Sequence, residues 1–170
     1  MQKETSLSAA TLISIEELKI HPSSNERLLG LDLGTRTIGL ALSDISRTVA
    51  TPLETIRRTK FTDDIKILIN HIEKMNVSAL VIGLPINMDG SEGPRVQATR
   101  AFARNLALHI RLPLVFWDER LSTVAVERVL LEADTSRKKR AEVIDKMAAA
   151  YILQGALDRM ANLRKKATRK

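Results

Sequence analysis

The hydrophobic positions change period partway along the chain. Leu28-Leu29-Gly30-Leu31-Asp32-Leu33 is an apolar run of strand length, the pattern of a strand buried on both faces. Gly34-Thr35 predicts a turn, and Arg36 to Ser43 alternates as a second strand, antiparallel to the first. Thr48 to Ile56 predicts a third strand, which Pro52 confines to a sheet edge because it lacks a ladder N–H.

A helical period follows. Thr62-Asp63-Asp64 predicts a cap, with Ile65, Leu68, Ile69 and Ile72 on one helical face. Ala79 to Gly83 predicts a short buried strand. Leu84 to Gly93 predicts a loop, and Pro94 opens a second helix whose face carries Phe102, Leu106 and Ile110. Leu114 to Trp117 predicts a last buried strand. Ser122 or Thr123 predicts the cap of a third helix, with Val126, Val129, Leu130 and Ala133 on its apolar stripe. Arg137 to Arg140 predicts a basic loop, and a final helix spans about 141–160. Three hairpin-linked strands and then two crossover strands predict an α/β fold: a five-stranded mixed sheet with helices on both faces.

Residues 1–26 are polar and without sustained period, and are expected to form an N-terminal extension. Leu12, Ile13, Ile15 and Leu18 would dock it loosely on a domain spanning 27–160, with a frayed basic tail over 161–170. At 170 residues, a single core needs no covalent staple. There is no cysteine, which excludes disulfides, thiolate metal sites and cysteine nucleophiles. No apolar run approaches the roughly 18 residues of a membrane span. The patch from Leu7 to Ile15 lacks the basic start of a signal peptide, so a cytoplasmic location is expected. The net charge of +7 suits a polyanionic partner. Arg159, Arg164, Lys165, Lys166, Arg169 and Lys170 carry six of those charges, with no acid among them.

Three acids stand where carboxylates are costly. Asp32 lies within an apolar strand, on the same face as Gly30, which leaves room beside it. The plainer alternative is a strand that ends early with Asp32 in solvent. Glu119 follows the last strand at its carboxyl end, where open α/β sheets put their ligand sites. Its alternative is a loop acid paired with Arg120. Asp145 shares a helix face with Ala149, Ile152 and Ala156; its alternative is a first-turn acid facing the helix dipole. Brought together, three carboxylates repel one another. Hard cations such as Mg²⁺ or Mn²⁺ relieve that repulsion, and two of them can activate water against a phosphodiester.

Four segments carry a family resemblance: Leu28–Gly39 (LLGLDLGTRTIG), Gly83–Gly93 (GLPINMDGSEG), Asp118–Thr123 (DERLST) and Val143–Ala149 (VIDKMAA). Together, over about residues 27–160, they resemble the YqgF/RuvX family of Holliday junction resolvases and pre-16S rRNA nucleases. The resemblance implies a ribonuclease H-like fold with strand order 3-2-1-4-5 and cleavage of nucleic acid with divalent metal. It also implies that Asp32, Glu119 and Asp145 are the catalytic and metal-holding acids. Glu142, which no motif covers, is a candidate fourth acid; without it a second ion binds loosely or arrives with substrate.

Arg36 and Thr35 can contact a phosphate or simply build the turn. Arg137, Lys138, Lys139 and Arg140 precede the helix of Asp145 and are expected to grip nucleic acid at the rim of the acidic site. The loop from Gly83 to Gly93 offers backbone N–H groups. Aromatic residues make up only 3%, which disfavours base-stacking platforms and favours recognition of backbone and shape. Trp117 is expected in the core, and His71 and His109 at the surface. The expected partner is nucleic acid, with pre-rRNA ahead of branched DNA, acting on a monomer or a weak homodimer. A binding module without catalysis is the alternative of another class. Asp32-Leu33-Gly34-Thr35 also resembles the phosphate loop of actin-like sugar kinases, but those enzymes close two such domains over ATP.

Overall fold

A computed structural model describes residues 11–121 and 137–170, with backbone alone over 137–143. The elements are β1 (Leu12–Ile13), β2 (Arg27–Leu33), β3 (Thr37–Ser43), β4 (Ala50–Arg57), α1 (Phe61–Lys74), β5 (Val77–Leu84), α2 (Pro94–Ala107), β6 (Leu114–Asp118), a short 3-10 turn (Glu119–Leu121) and α3 (Arg137–Thr168). The predicted cap at Ser122 or Thr123 and the apolar stripe after it lie outside the described residues.

The sheet runs β1-β6-β5-β2-β3-β4. It has six strands, not five ordered 3-2-1-4-5; the expected strands one to five are β2 to β6 here. The added strand is β1, from the segment read as an extension. It lies parallel to β6, with Leu12 beside Leu114 and Ile13 beside Val115. Two residues are too few to show alternation, so only the exposed edge of β6 reveals the pairing. β2–β3 and β3–β4 are antiparallel, and β2–β5 and β5–β6 parallel. β4 takes the opposite edge, where Pro52 withholds no inner hydrogen bond.

The two faces differ in side-chain size. Leu29, Leu31, Ile38, Leu40, Leu80 and Ile82 pack against α1 and α2. On the other face Ala41, Ala79 and Val81 meet Ala149, Ile152 and Ala156 of α3. Small residues let α3 lie close to the sheet as it crosses it. A Cβ on Gly30 would stand 2.8 Å from the Leu153 Cβ and 2.9 Å from the Ala149 carbonyl oxygen. The room beside Gly30 therefore belongs to α3, not to Asp32. Further along the helix, Gly155 rests on the Trp117 ring. Trp117 is buried, as expected.

Local chemistry departs from the sequence pattern in three places. Lys60, not Thr62, occupies the N-cap of α1 and makes no side-chain cap bond. Asp64 turns inward instead and accepts from the Thr59 N–H at 3.1 Å. Arg137 to Arg140, expected as a loop, form the first turn of α3, and the expected frayed tail is helical to Thr168.

Residues 14–26 pack as a strap. Ile15 and Leu18 join the core beside Met160 and Leu157, and Glu16 pairs with Arg159 at 3.1 Å. Arg47 pins the strap. It is 2% exposed, and its guanidinium donates to the carbonyls of His21, Pro22, Ser24, Glu26 and Ile45 at 2.7–3.1 Å. Burial holds its pKa below the ordinary arginine value, with Arg164 opposing it further. Its φ of 55° lies in the left-handed region, which costs a side chain about 1–2 kcal/mol. Five charge-assisted hydrogen bonds offset that cost.

Candidate active site

β2 sends Leu28, Gly30 and Asp32 to the α3 face and Leu29, Leu31 and Leu33 to the other. Asp32 is thus buried under α3, at 2% exposure. The strand does not end early, and Asp32 is not in solvent.

Its neighbours across the sheet are glycines. Asp32 pairs with Gly39 on β3. On the other side Leu31 pairs with Ile82 of β5, so the next step of that ladder sets Asp32 beside Gly83. Gly83 in turn pairs with Trp117. Both glycines leave space on the α3 face, and an acid-bearing element fills each. A Cβ on Gly39 would overlap the Asp145 carbonyl and stand 2.8 Å from the Lys146 nitrogen. A Cβ on Gly83 would stand 2.8 Å from Glu119 Oε1 and would overlap the Ile152 side chain. With strands about 4.8 Å apart, Asp32 sits between the backbone of Asp145 and the carboxylate of Glu119.

Thr37, two residues before Gly39 on the same face, donates its hydroxyl hydrogen bond to Asp145 Oδ2. Sequence reading missed Thr37, although period two places it with Gly39. It missed Arg58 too, whose guanidinium donates to the Gly34 carbonyl at 2.7 Å and lies over the Phe102 ring at 5.7 Å. Arg58 thereby braces the hairpin next to Asp32. Arg36 is exposed at the hairpin tip, and its carbonyl accepts from the Arg58 N–H at 2.9 Å.

Glu119 opens the 3-10 turn after β6. The expected alternative, pairing with Arg120, does not describe that arginine. Arg120 forks onto Asp118, with Nε at 3.1 Å and Nη2 at 2.7 Å. This hydrogen bond holds the Asp118 carboxyl below its usual range. The loop between β5 and α2 lies against the same arginine, since a Cβ on Gly90 would stand 3.6 Å from Arg120 Nη1. Its amides are partly committed: Asn87 donates to Ser91, Gly90 to Asn87, and Ser91 to the Asp89 side chain. The cradle of free N–H groups expected from its sequence is correspondingly reduced.

Asp32, Glu119 and Asp145 are all carboxylates, and with no sulfur or imidazole among them they suit a hard divalent cation. Among the described residues, no three of His, Cys, Asp and Glu stand close enough to hold a metal ion. The three acids surround one stretch of the sheet without forming a closed cage. Arg137, Lys138, Lys139 and Arg140 begin the helix that carries Asp145, and their backbone alone is described. His71 contacts Glu54 and His109 meets the Phe61 ring edge-to-face, both on the α1–α2 side of the sheet. Among the described residues, no helix is long and apolar enough to cross a membrane.

A mixed α/β sheet with acids above its central strands is the arrangement to compare with known proteins. The RuvX family, described as Holliday junction resolvase, matches residues 26–159, and the chain belongs to that family. A protein of Methylocella silvestris named "Putative pre-16S rRNA nuclease" is 60% identical over 152 residues, 89% of this chain and 94% of its own length. One of the same name from Paramagnetospirillum magneticum is 63% identical over 147 residues, 86% of this chain and 95% of its own. The crystal structure of the yeast mitochondrial Holliday junction resolvase Ydc2 has the same fold. It is 15% identical, with a TM-score of 0.50 over 89% of this chain and 85% of that one.

Proposed function

We propose that this chain is an endonuclease that hydrolyses phosphodiester bonds with a divalent metal, trimming the 5′ end of a 16S rRNA precursor. The observation that carries the reading is Asp32, buried between two glycines whose open sides are taken by Asp145 and Glu119. Three carboxylates around one stretch of the sheet, with no sulfur or imidazole among them, suit a hard divalent cation. Asp32, Glu119 and Asp145 would hold Mg²⁺ or Mn²⁺, which supplies an activated water and stabilises the leaving oxygen.

The remaining work falls to groups of the chain itself. Thr37 holds the Asp145 carboxylate in one orientation. Gly83 leaves the Glu119 carboxylate room above the sheet. Arg36, Arg137, Lys138, Lys139 and Arg140 would attract and align the phosphate backbone beside the acids, which alone would repel it. The relatives' names favour precursor rRNA as substrate. The family's description favours a second reading, resolution of four-way DNA junctions.

Incubating the pure protein and Mn²⁺ with each substrate separates the two readings. Mapped cleavage near the 5′ end of the precursor is expected. Symmetric cutting of the junction with inert RNA would replace the first reading with the second. Binding to both without cleavage of either would leave a nucleic-acid-binding module.

A further inference from the structure

α3 continues for about nine residues past position 159, where the family match ends. Arg164, Lys165 and Lys166 lie in this last stretch and Arg169 and Lys170 just beyond it, all exposed. Among the described residues none of the five makes an ion pair.

The strap supports this end of the helix. Ile15 and Leu18 pack beside Met160, Glu16 holds Arg159, and four bonds of Arg47 anchor residues 21–26. Between strap and helix lies an open, largely apolar groove of about 480 Å³, whose lining includes the exposed cations Lys19 and Arg164. Glu16 is the one acid lining it. Such a surface is complementary to an anion held across several cations. Lys165 lies twenty residues beyond Asp145 on the same helix. That is about 30 Å at roughly 1.5 Å per residue, or about one turn of a double helix. Among the described residues no Phe, Tyr or Trp lines the groove, so the surface suits phosphates rather than stacked bases.

We propose that Arg164, Lys165 and Lys166, with Lys19 across the groove, form a second contact for the phosphate backbone of a double-helical substrate, about 30 Å along α3 from the acidic site. The proposal rests on the nucleic-acid reading above and extends it to a region outside the family match. The contact sets how far the substrate helix must extend from the scissile bond.

The test uses the full chain and a labelled RNA duplex of about 24 base pairs, long enough to span both regions. Binding is measured in EDTA, so cleavage is not needed. Replacing three phosphate contacts (Arg164→Ala, Lys165→Ala, Lys166→Ala together) should lower the slope of log K against log salt by about 2–3. Affinity should fall at least tenfold, with the thermal melt unchanged because all three side chains are exposed. Hydroxyl-radical footprinting should lose one flank of the protected region, about one helical turn from the cleavage site, and keep the remainder. Unchanged affinity and slope would overturn the proposal, as would uniform weakening without loss of that flank. A wild-type chain that gives this footprint but never cleaves would defeat the nuclease reading and leave the second contact standing. Preference for an acidic protein over the duplex would assign the surface to another partner and overturn it as well.

Discussion

The Thr37 hydroxyl donates to the Asp145 carboxylate, joining residues 108 positions apart. This one bond ties the first hairpin to the helix carrying the third acid. Thr37→Val removes the donor and keeps the shape. It is expected to cost about 1.5–3 kcal/mol, the range for a hydrogen bond to a charged group, and to lower cleavage at least tenfold. Thr37→Ser should retain most of both. Steady-state cleavage and urea denaturation check this; losses in Thr37→Ser but not in Thr37→Val would assign the role to the methyl group instead.

Gly39 and Gly83 respond differently to the same added methyl. At Gly39 the new Cβ meets the Asp145 backbone, which cannot move without shifting α3. Gly39→Ala should destabilise by about 1–3 kcal/mol or more. At Gly83 the obstacles are the Glu119 carboxylate and the Ile152 side chain, both able to rotate. Gly83→Ala should keep most of its stability and lose cleavage as Glu119 is displaced. Thermal melts beside activity separate the cases, and a fully active Gly83→Ala would remove Glu119 from the site.

Asp32→Asn replaces a buried charge with a neutral amide. The metal-free variant is expected to be as stable as the wild type or more so, since the desolvated charge is gone. Cleavage should vanish while nucleic-acid binding persists or improves. Mg²⁺ or Mn²⁺ should raise the melting temperature of the wild type alone, as a ligand at 100 times its Kd adds about 2.7 kcal/mol. If the metal stabilises the variant equally, Asp32 does not hold the ion.

Arg47→Met leaves four strap carbonyls and that of Ile45 without their donor. A loss of more than about 3 kcal/mol is expected, since each buried group left unpaired costs about 1–3. Amide hydrogen exchange should rise first over residues 11–26. Protection there equal to the wild type would show that the strap is held by its apolar contacts alone.

Asp44 organises the turn that carries Arg47. Its carboxylate accepts from the Ser46 hydroxyl at 2.6 Å and the Thr48 and Val49 N–H groups at 2.8 and 3.1 Å. The Ser46 bond first, then the two amides, hold its carboxyl below the usual range. A carboxyl whose pKa is lowered by folding stabilises the fold above its unfolded pKa. That contribution is lost as pH falls through the lowered value, so the window lies below about pH 4. Asp44→Asn keeps an acceptor for both amides and does not titrate. It should flatten the acid limb of the stability profile and slightly lower stability at neutral pH; an unchanged acid limb would assign the loss to other carboxylates.

Much of this architecture was legible from local pattern. The apolar run from Leu28 to Leu33 marks a strand buried on both faces, and the helical period of Ile65, Leu68 and Ile72 marks α1. Each is a property of a few adjacent residues. The position of Asp32 among leucines was equally plain, because the cost of burying a carboxylate does not depend on the partner. β1 was not legible, because its pairing with Leu114 depends on a distant sheet edge. The clamp of Arg47 was not legible either, since its acceptors are backbone carbonyls that any residue supplies.

By itself, then, the sequence determined the order of β2 to β6 and of the helices between them, and three acids in costly positions. Tertiary structure alone decided what lies above Gly39 and Gly83, because the space left by a missing side chain has no owner until α3 crosses it. It also decided that Arg120 answers Asp118 rather than Glu119, and that a run of C-terminal cations becomes a rigid surface. Charge and period are local quantities, whereas proximity across 108 residues is set only by packing.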